Sequence, residues 1–409
     1  MNTLRMRALS SALGLATLLG SCQNDHLIDA KVPETTNEPT SASIQGNVFE
    51  PALVPATDER IAQLKVPAGF AVTKFADQLG KPRMLAVSPT GTIYVSDRTA
   101  GTVTLLQDTN ANGKADTKRT VATIKDIHGL TIHQGQLYMV AIKELYVAVI
   151  NSDGSLGTPK QLIRDLPDGG QHPNRTIAFG PDGMLYITVG STCNACADTN
   201  PESATILRAN PDGTNRKIFA KGLRNTIGFG WHPQTQALYG LDHGIDWLGD
   251  EQQKEELNLI KEGAFYGWPY IYGDGNYNPH PRPMGDTTYA EILAKTTLPV
   301  LQYDAHAAPL GMVFYTSTGA SSSFPAEYQN DAFATMRGSW NRSQPSGYKV
   351  VRFHFENGQP VRAEDFVTGF LVNNNQAQFG RPVGIATLAD GSLLFTEDNN
   401  GVIYRVSRR

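Results

Sequence analysis

The chain has 409 residues, enough to bury one large all-β domain or two ordinary ones. Its formal net charge is −4 and it carries no long basic run, which argues against a nucleic-acid partner. Thirty-nine glycines and 24 prolines among short β-type runs point to many turns rather than to disorder.

Taken in order, the N-terminus reads as an export signal. Arg5 and Arg7 precede an apolar run from Ala8 to Leu19, too short for a comfortable membrane-spanning helix. Leu19-Gly20-Ser21-Cys22 follows and resembles a bacterial lipobox. On that reading residues 1–21 are a signal peptide and Cys22 carries lipid. The mature protein is then an exported lipoprotein, anchored only by that lipid at the periplasmic or extracytoplasmic face of a membrane. An ordinary secretory signal that contains a cysteine is the alternative, and it exports the protein too. Residues 22–58 are rich in Pro, Thr, Asn and Glu without sustained periodicity, and read as a flexible tether. The folded domain is expected over residues 59–409.

From Ile61 the character changes. Phe70–Phe75 alternates like a strand. One theme then recurs, an alternating strand, a turn and a second apolar strand. It appears at Met84–Asp97, Gly129–Ala141, Thr176–Gly190 and Gly228–Gly244, in a divergent form at Gly311–Trp340, and last at Gly384–Asp398. Early copies start 45 to 52 residues apart. A four-stranded unit repeating every ~40–50 residues is the signature of a propeller blade. Six copies predict an all-β, six-bladed β-propeller, with a sandwich of unrelated hairpins as the alternative. Phe70–Phe75 and Gly401–Ser407 are the expected closing pair, since closure removes open sheet edges.

Cysteine usage fits an exported protein. With Cys22 spent on lipid, Cys193 and Cys196 remain, and an even pair in an oxidising compartment predicts a disulfide. No second ligand pair exists for a zinc site, and the βαβ context of a thioredoxin-like site is missing.

Polar groups recur just before the strands of these units. They are His128 in the second unit, His172 and Arg175 in the third, Arg224 and Asn225 in the fourth and Arg381 in the last. His243, His306, Arg337 and Arg342 belong to the same mouth. Each alone reads equally as a structural loop residue or a surface cation. Their repetition at one register points to a bound polyanion or a carboxylate-rich cofactor. Asp108, Asn110, Asn112 and Asp116 place oxygens at alternate positions around Gly113, as a calcium loop does, but the glutamate of an EF-hand is missing. A calcium loop of another type and a plain Asn-Gly turn both remain open. Asp242-His243-Gly244-Ile245-Asp246 forms a second turn, whose backbone carbonyls suit a hard cation.

The segments GQHPNRTIAFGPDGMLYITVG, GLRNTIGFGWHP, EELNLI with YGWP, GSWNR with GYKVVRF, and FGRPVGIATLADGSLLFTED carry a resemblance. From about Ile61 to Arg409 the chain resembles the soluble glucose/sorbosone dehydrogenases that use pyrroloquinoline quinone (PQQ), in their sorbosone-dehydrogenase-like branch. The resemblance implies a PQQ- and Ca²⁺-dependent oxidation of an aldose or aldehyde-type sugar. It implies His172 as general base, Arg224 as the cation at the quinone oxygen and Asn225 as a cofactor contact. The carbonyls of Gly244 and Ile245 are implied to hold calcium. Arg381 and Arg337 are implied to pair with cofactor carboxylates, and His128 lies near another cofactor contact.

Two departures stand out. Ser191 occupies the place of an aspartate that orients the base in glucose-oxidising members, which leaves a weaker base unless a carboxylate such as Asp198 reaches it. Val383 replaces a further cofactor arginine, with Arg342 as a candidate substitute. The electron acceptor is not identified. A metal-dependent propeller lactonase or esterase would need several carboxylates on the axis, where this chain places mostly Arg and His. A non-catalytic glycan- or protein-binding propeller would need neither His172 nor Arg224.

Overall fold

The computed structural model describes residues 37–40 and 46–409. The signal peptide, Cys22 and most of the tether lie outside the described residues. Among those described, no helix is long and apolar enough to cross a membrane.

The chain is nearly all β. Six four-stranded antiparallel sheets follow one another. The first is built from Pro82–Val87, Ile93–Asp97, Thr102–Gln107 and Thr117–Thr123, in sequence order. The leading strands of the next five are Gly129–His133, Ile177–Phe179, Phe229–Trp231, Pro309–Phe314 and Pro382–Thr387. These lie on the inside. Pro82–Val87 packs on both Gly129–His133 and Pro382–Thr387, so the first and last sheets are neighbours.

The last sheet takes its outer strand from the other end of the chain. Phe70–Ala76 pairs antiparallel with Val402–Arg408, Phe70 opposite Arg408 and Lys74 opposite Tyr404. Both strands bury their apolar faces, and the pairing satisfies backbone groups that would otherwise form an open edge.

Hydroxyl groups join one sheet to the next. Ser96 Oγ accepts from Met84 N in its own sheet, at 3.1 Å, and donates to His128 O in the following one, at 2.6 Å. Thr396 Oγ1 does the same between Gly384 N and Arg83 O, at 2.8 and 2.6 Å. Thr335 Oγ1 accepts from Gly311 N and donates to Val383 O. A buried hydroxyl with both roles filled carries no desolvation penalty. Each link fixes the carbonyl of a residue just before or within an inner strand, where the polar groups of the mouth begin.

Met84, Leu310 and Val383, on three inner strands, and Ile227, just before a fourth, form one buried apolar cluster. Val383 is therefore committed to apolar packing. Between sheets, Phe70, Phe324, Phe333 and Phe366 pack together, edge to face in every cited pair but the tilted Phe324–Phe366, with ring centroids 4.6 to 5.8 Å apart.

One boundary is corrected. Residues 46–58, expected in the tether, are docked on the domain. Ala52–Leu53 runs parallel to Ala377–Gln378, and Asn47 Nδ2 donates to Asp250 Oδ1 at 2.7 Å. A short hairpin from Leu371 to Gln378 offers an unpaired edge, and backbone pairing there outweighs the polar composition of the segment.

Candidate active site

A cavity of about 390 Å³ opens among the loops that precede and follow the inner strands, lined by His172, Asn194, Arg224, Gly244, Asp246 and Glu255 among others. A second lobe of about 460 Å³ lies beside it. The two share Gln171, His243, Ala308 and Trp340 along their border.

His172 sits on the loop from Gly169 to Arg175. Gly170 has φ +48°, and a Cβ there would lie 2.1 Å from Thr192 O, so the loop passes its neighbour closer than a side chain allows. Arg175, fully buried, donates to His172 O at 2.8 Å and to Pro167 O at 2.9 Å, and so braces the loop from inside. His172 Nδ1 faces Ser191 O at 2.7 Å and Ser191 Oγ at 2.9 Å. The carbonyl can only accept, so Nδ1 carries the proton and Nε2 holds its lone pair toward the cavity. Burial, and then the positive charge of Arg224, lower the His172 pKa to about 3, so the ring is neutral at pH 7.

Arg224 lies opposite. Its backbone N and those of Asn225 and the hydroxyl of Thr226 all converge on the buried Asp242 carboxylate, at 2.8 to 2.9 Å. Its Nε donates to Asn194 O at 3.0 Å and Nη2 to Asn194 Oδ1 at 2.7 Å. Asp246 is 3.6 Å away, and the guanidinium stands over Trp268 at 5.5 Å. Nη1 has no hydrogen bond among the described residues and is left for the cavity. Asn225 Oδ1, buried and without a partner among them, lines the second lobe. A Cβ on Gly190 would meet both His172 Cβ, at 2.6 Å, and Asn225 Oδ1, at 2.8 Å, so this glycine lets the two loops approach.

Gly244 and Ile245 turn their N–H groups inward, to Glu255 Oε2 and Gln253 Oε1, each at 3.1 Å. Their carbonyls accept no hydrogen bond among the described residues. Asp246 and Glu255 share the same wall. Burial raises Glu255 to about 8, although Ala308 N and Gly244 N donate to it. Free carbonyls beside two carboxylic groups suit a hard cation.

The second lobe is strongly basic. Lys81, Arg83, Arg98, Arg337 and Arg381 line it, against the single carboxylate of Asp398. Arg83 Nη1 meets Asp398 Oδ2 at 2.6 Å and Arg337 Nε meets it at 3.0 Å. Burial alone raises the Asp398 pKa, but the two arginines outweigh it and the net shift is downward. Arg381 is fixed by the carbonyls of Arg337 and Gly338 and by Glu50 Oε1 at 3.2 Å. Four arginines and a lysine facing one cavity, with an orphaned amide at its border, fit a ligand bearing several carboxylates.

The sequence reading placed His172, Arg224, Asn225, Gly244, Arg337 and Arg381 here, and all six line the two lobes. Ile245, next to Gly244, turns its own side chain into an apolar cluster with Leu248 and Trp268. Three expectations are corrected. His128 does not line the lobe; its Nε2 faces Arg83 Nη2 at 3.3 Å and its Nδ1 faces Arg175 O at 2.8 Å, so it supports Arg83. Arg342 is committed to Ala305 O, Gln344 O and Glu251, and does not reach the cavity. Asp198 accepts from Thr192 N and Oγ1, at 2.7 and 2.6 Å, rather than from His172.

The loop of Asp108, Asn110, Asn112 and Asp116 joins the last two strands of the first sheet and lines neither lobe. Its oxygens accept the loop's own backbone: Asp108 takes Asn112 N and Gly113 N, and Asp116 takes Thr109 N. Among the described residues no three His, Cys, Asp or Glu side chains converge as a metal cage. Cys193 and Cys196 form a disulfide, with Cα atoms 6.0 Å apart.

Arg83, Arg98, Lys81 and Asp398 went unread. A signal existed for Arg83. It directly precedes Met84, as His128 precedes Gly129 and Arg175 precedes Thr176.

A family model described as TrAA12-like matches residues 64–409. An uncharacterised protein of Borreliella burgdorferi is 32% identical over 86% of this chain and 92% of its own length. A pyrroloquinoline quinone-dependent pyranose dehydrogenase of Coprinopsis cinerea is 22% identical over 85% of this chain, which spans 55% of that protein. The calcium structure of the Trichoderma reesei carbohydrate-active enzyme of family AA12 superposes with a TM-score of 0.72 at 21% identity, over 85% of this chain and 98% of that one, and shares its fold.

Proposed function

We propose, for a chain that belongs to the TrAA12-like family of PQQ-dependent soluble sugar dehydrogenases, that it is an oxidoreductase acting on an aldose or aldehyde-type sugar with PQQ and Ca²⁺. One observation carries the reading. A neutral histidine with a free Nε2 and an arginine with a free Nη1 face one cavity, beside a lobe lined by five cations.

The residues present fit the cofactor pair. Arg83, Arg337 and Arg381 would hold carboxylates, Asn225 a ring substituent, and the Gly244 and Ile245 carbonyls the calcium ion. Bound there, PQQ supplies the two-electron acceptor and Ca²⁺ a Lewis acid.

The protein's own part follows from its geometry. His172 Nε2 takes the proton of the sugar hydroxyl at the carbon that is oxidised, leaving hydride as the second departing group. Ser191 O holds the opposite ring nitrogen protonated, so the lone pair stays on the cavity side. Arg224 is preorganised by Asn194 and Asp242, and sets a fixed positive charge where negative charge develops. Ile227 and Leu310, which line the second lobe, pack with Met84 and Val383 in an apolar cluster, so this part of the lobe offers no competing polar group.

The six sheets are taken as the blades of a closed six-bladed propeller, supported by the pairing of Phe70–Ala76 with Val402–Arg408. Export as a lipoprotein through Cys22 is supported by the sequence pattern around it. It would place the enzyme on an extracytoplasmic membrane face, with an electron acceptor that the site does not identify.

Reconstitution tests the reading. PQQ and Ca²⁺ are added to the purified protein, cofactor binding is followed by absorbance, and dye reduction is measured with a panel of aldoses. Turnover that needs both additions, and that His172→Ala and Arg224→Ala abolish, is expected. Failure of PQQ to bind would leave a likeness of fold alone.

A further inference from the structure

We propose that the disulfide-closed loop Cys193–Cys196 is a positioning element for the reacting pair, with Asn194 as its working residue. The inference rests on the roles of Arg224 and His172 given above.

The loop touches both. Asn194 O accepts from Arg224 Nε at 3.0 Å, and Asn194 Oδ1 from Arg224 Nη2 at 2.7 Å. One residue thus grips the Nε–Nη2 edge of the guanidinium with two acceptors and fixes its plane. The same Oδ1 accepts from Asp246 N at 3.0 Å, which ties the loop to the turn that carries Gly244 and Ile245. On the other side, Ser191 Oγ donates to Cys193 O at 2.9 Å. That bond orients the hydroxyl that stands 2.9 Å from His172 Nδ1. Ser191 N in turn donates to Arg224 O at 2.7 Å.

Only local chemistry explains why the loop needs a covalent clasp. Residues from Ser191 to Ser203 contain no strand, so no ladder of hydrogen bonds fixes them. A backbone carbonyl in such a segment is a poor anchor for a buried cation unless something else restricts it. The Cys193–Cys196 bond brackets Asn194 and removes most of that freedom. The adjoining residues are pinned by Asp198 through Thr192 N and Oγ1. A salt partner for Arg224 alone would not need this arrangement, because Asp246 is already within 3.6 Å. A carboxylate fixes charge; the paired carbonyls of Asn194 fix direction.

The test compares Asn194→Ala, Asn194→Asp and Arg224→Ala, each as the full chain reconstituted with PQQ and Ca²⁺. Asn194→Ala is expected to lower kcat about tenfold, with KM for the sugar changed less than about threefold, as loss of one hydrogen bond to a charged group predicts. PQQ, titrated by absorbance without sugar, is expected to bind several-fold more weakly. Asn194→Asp keeps an oxygen for both donors and should recover part of each loss, the added negative charge beside Arg224 and Asp246 withholding the rest. Wild-type kcat and PQQ affinity in Asn194→Ala, while Arg224→Ala loses turnover, would overturn the positioning role. Full turnover in Arg224→Ala would instead remove the functional reading on which it stands. If Asn194→Ala does not fold, the Cys193→Ala/Cys196→Ala double variant releases the loop and leaves Asn194 in place. The same fall in kcat is expected there, and unchanged kcat would overturn the proposal.

Discussion

Arg83 and Asp398 stand 315 positions apart in the chain and 2.6 Å apart in space. Arg337 joins them on the same carboxylate oxygen at 3.0 Å. The first, fifth and last sheets therefore meet at one charge, and that charge holds two arginines in place at the floor of the basic lobe. His128 extends the set, its neutral ring accepting from Arg83 Nη2.

Removing that carboxylate should expose how the lobe is balanced. Asp398 is 6% exposed and Arg83 12%, so Asp398→Ala leaves two mostly buried cations facing each other. Breaking a buried pair costs about 3–5 kcal/mol. Thermal unfolding of the cofactor-free variant should show a clear fall in Tm. PQQ should recover more of that fall than it adds to the wild type, because its carboxylates replace the lost partner. An equal gain in both proteins would contradict the assignment of this lobe to cofactor carboxylates.

Arg83 and Arg381 should matter for affinity more than for rate. Each offers a charge-assisted bond, worth roughly 1.5–3 kcal/mol. Arg83→Ala and Arg381→Ala are expected to weaken PQQ binding about ten- to a hundredfold, read by absorbance titration. With saturating PQQ, kcat should stay near the wild-type value. Arg342→Ala should do neither, since its guanidinium is held by Ala305 O and Glu251 outside the cavity.

The pH profile follows from the environment of His172. Burial and Arg224 lower its pKa from 6.5 to about 3. On the proposed role of His172 as base, its neutral ring is the active form, so activity is expected above the folded pKa and is lost as pH falls through it. The acid limb of kcat/KM should therefore lie well below 6.5. A limb centred at or above that value would contradict the assignment of the base. The same shift predicts a stability effect. Between about 6.5 and about 3 the unfolded chain binds this proton and the folded one does not, so stability declines as pH falls through that window.

Ser191 supplies His172 with two oxygens, and only one belongs to the side chain. Ser191→Ala keeps the carbonyl and loses the hydroxyl. The expected fall in kcat/KM is modest, about two- to tenfold, the worth of one neutral hydrogen bond. A loss as deep as that of His172→Ala would mean that the hydroxyl, and not the carbonyl, sets the tautomer.

The pairing of the two ends of the chain carries a stability prediction. Val402–Arg408 pairs with Leu393–Glu397 on one side and Phe70–Ala76 on the other, and buries Tyr404 completely. Truncation before Val402 should abolish cooperative unfolding. The milder Phe333→Ala, in the aromatic cluster between sheets, should cost about 3–5 kcal/mol. Denaturant titration followed by tryptophan fluorescence reads both.

Much of the fold was legible because strand, turn and strand repeat with a period that only a stack of similar sheets explains. Met84–Asp97 and Gly384–Asp398 show the alternation plainly, and Phe70–Phe75 with Gly401–Ser407 gave the closing pair. Site residues on that register were legible for the same reason, as with His172, Arg224 and Arg381. The register also pointed at His128, yet the structure turns that ring onto Arg83. Orientation of a side chain depends on which partner is nearest, and sequence spacing does not contain that distance. Arg342 was misread likewise, because its competitors Ala305 and Glu251 are remote in the chain.

By itself, then, the sequence determined the β repeat, the register of its polar groups, the cysteine pair and the family. Local patterns encode these, since alternation, turns and motif spacing act over a few residues. Only the tertiary structure decided that Asp398 gathers Arg83 and Arg337, that Asn194 grips Arg224, and that Val383 packs with Met84, Ile227 and Leu310. Each of those depends on residues brought together by the packing of different sheets, where burial strengthens a charge or a hydrogen bond according to a distance that no stretch of chain records.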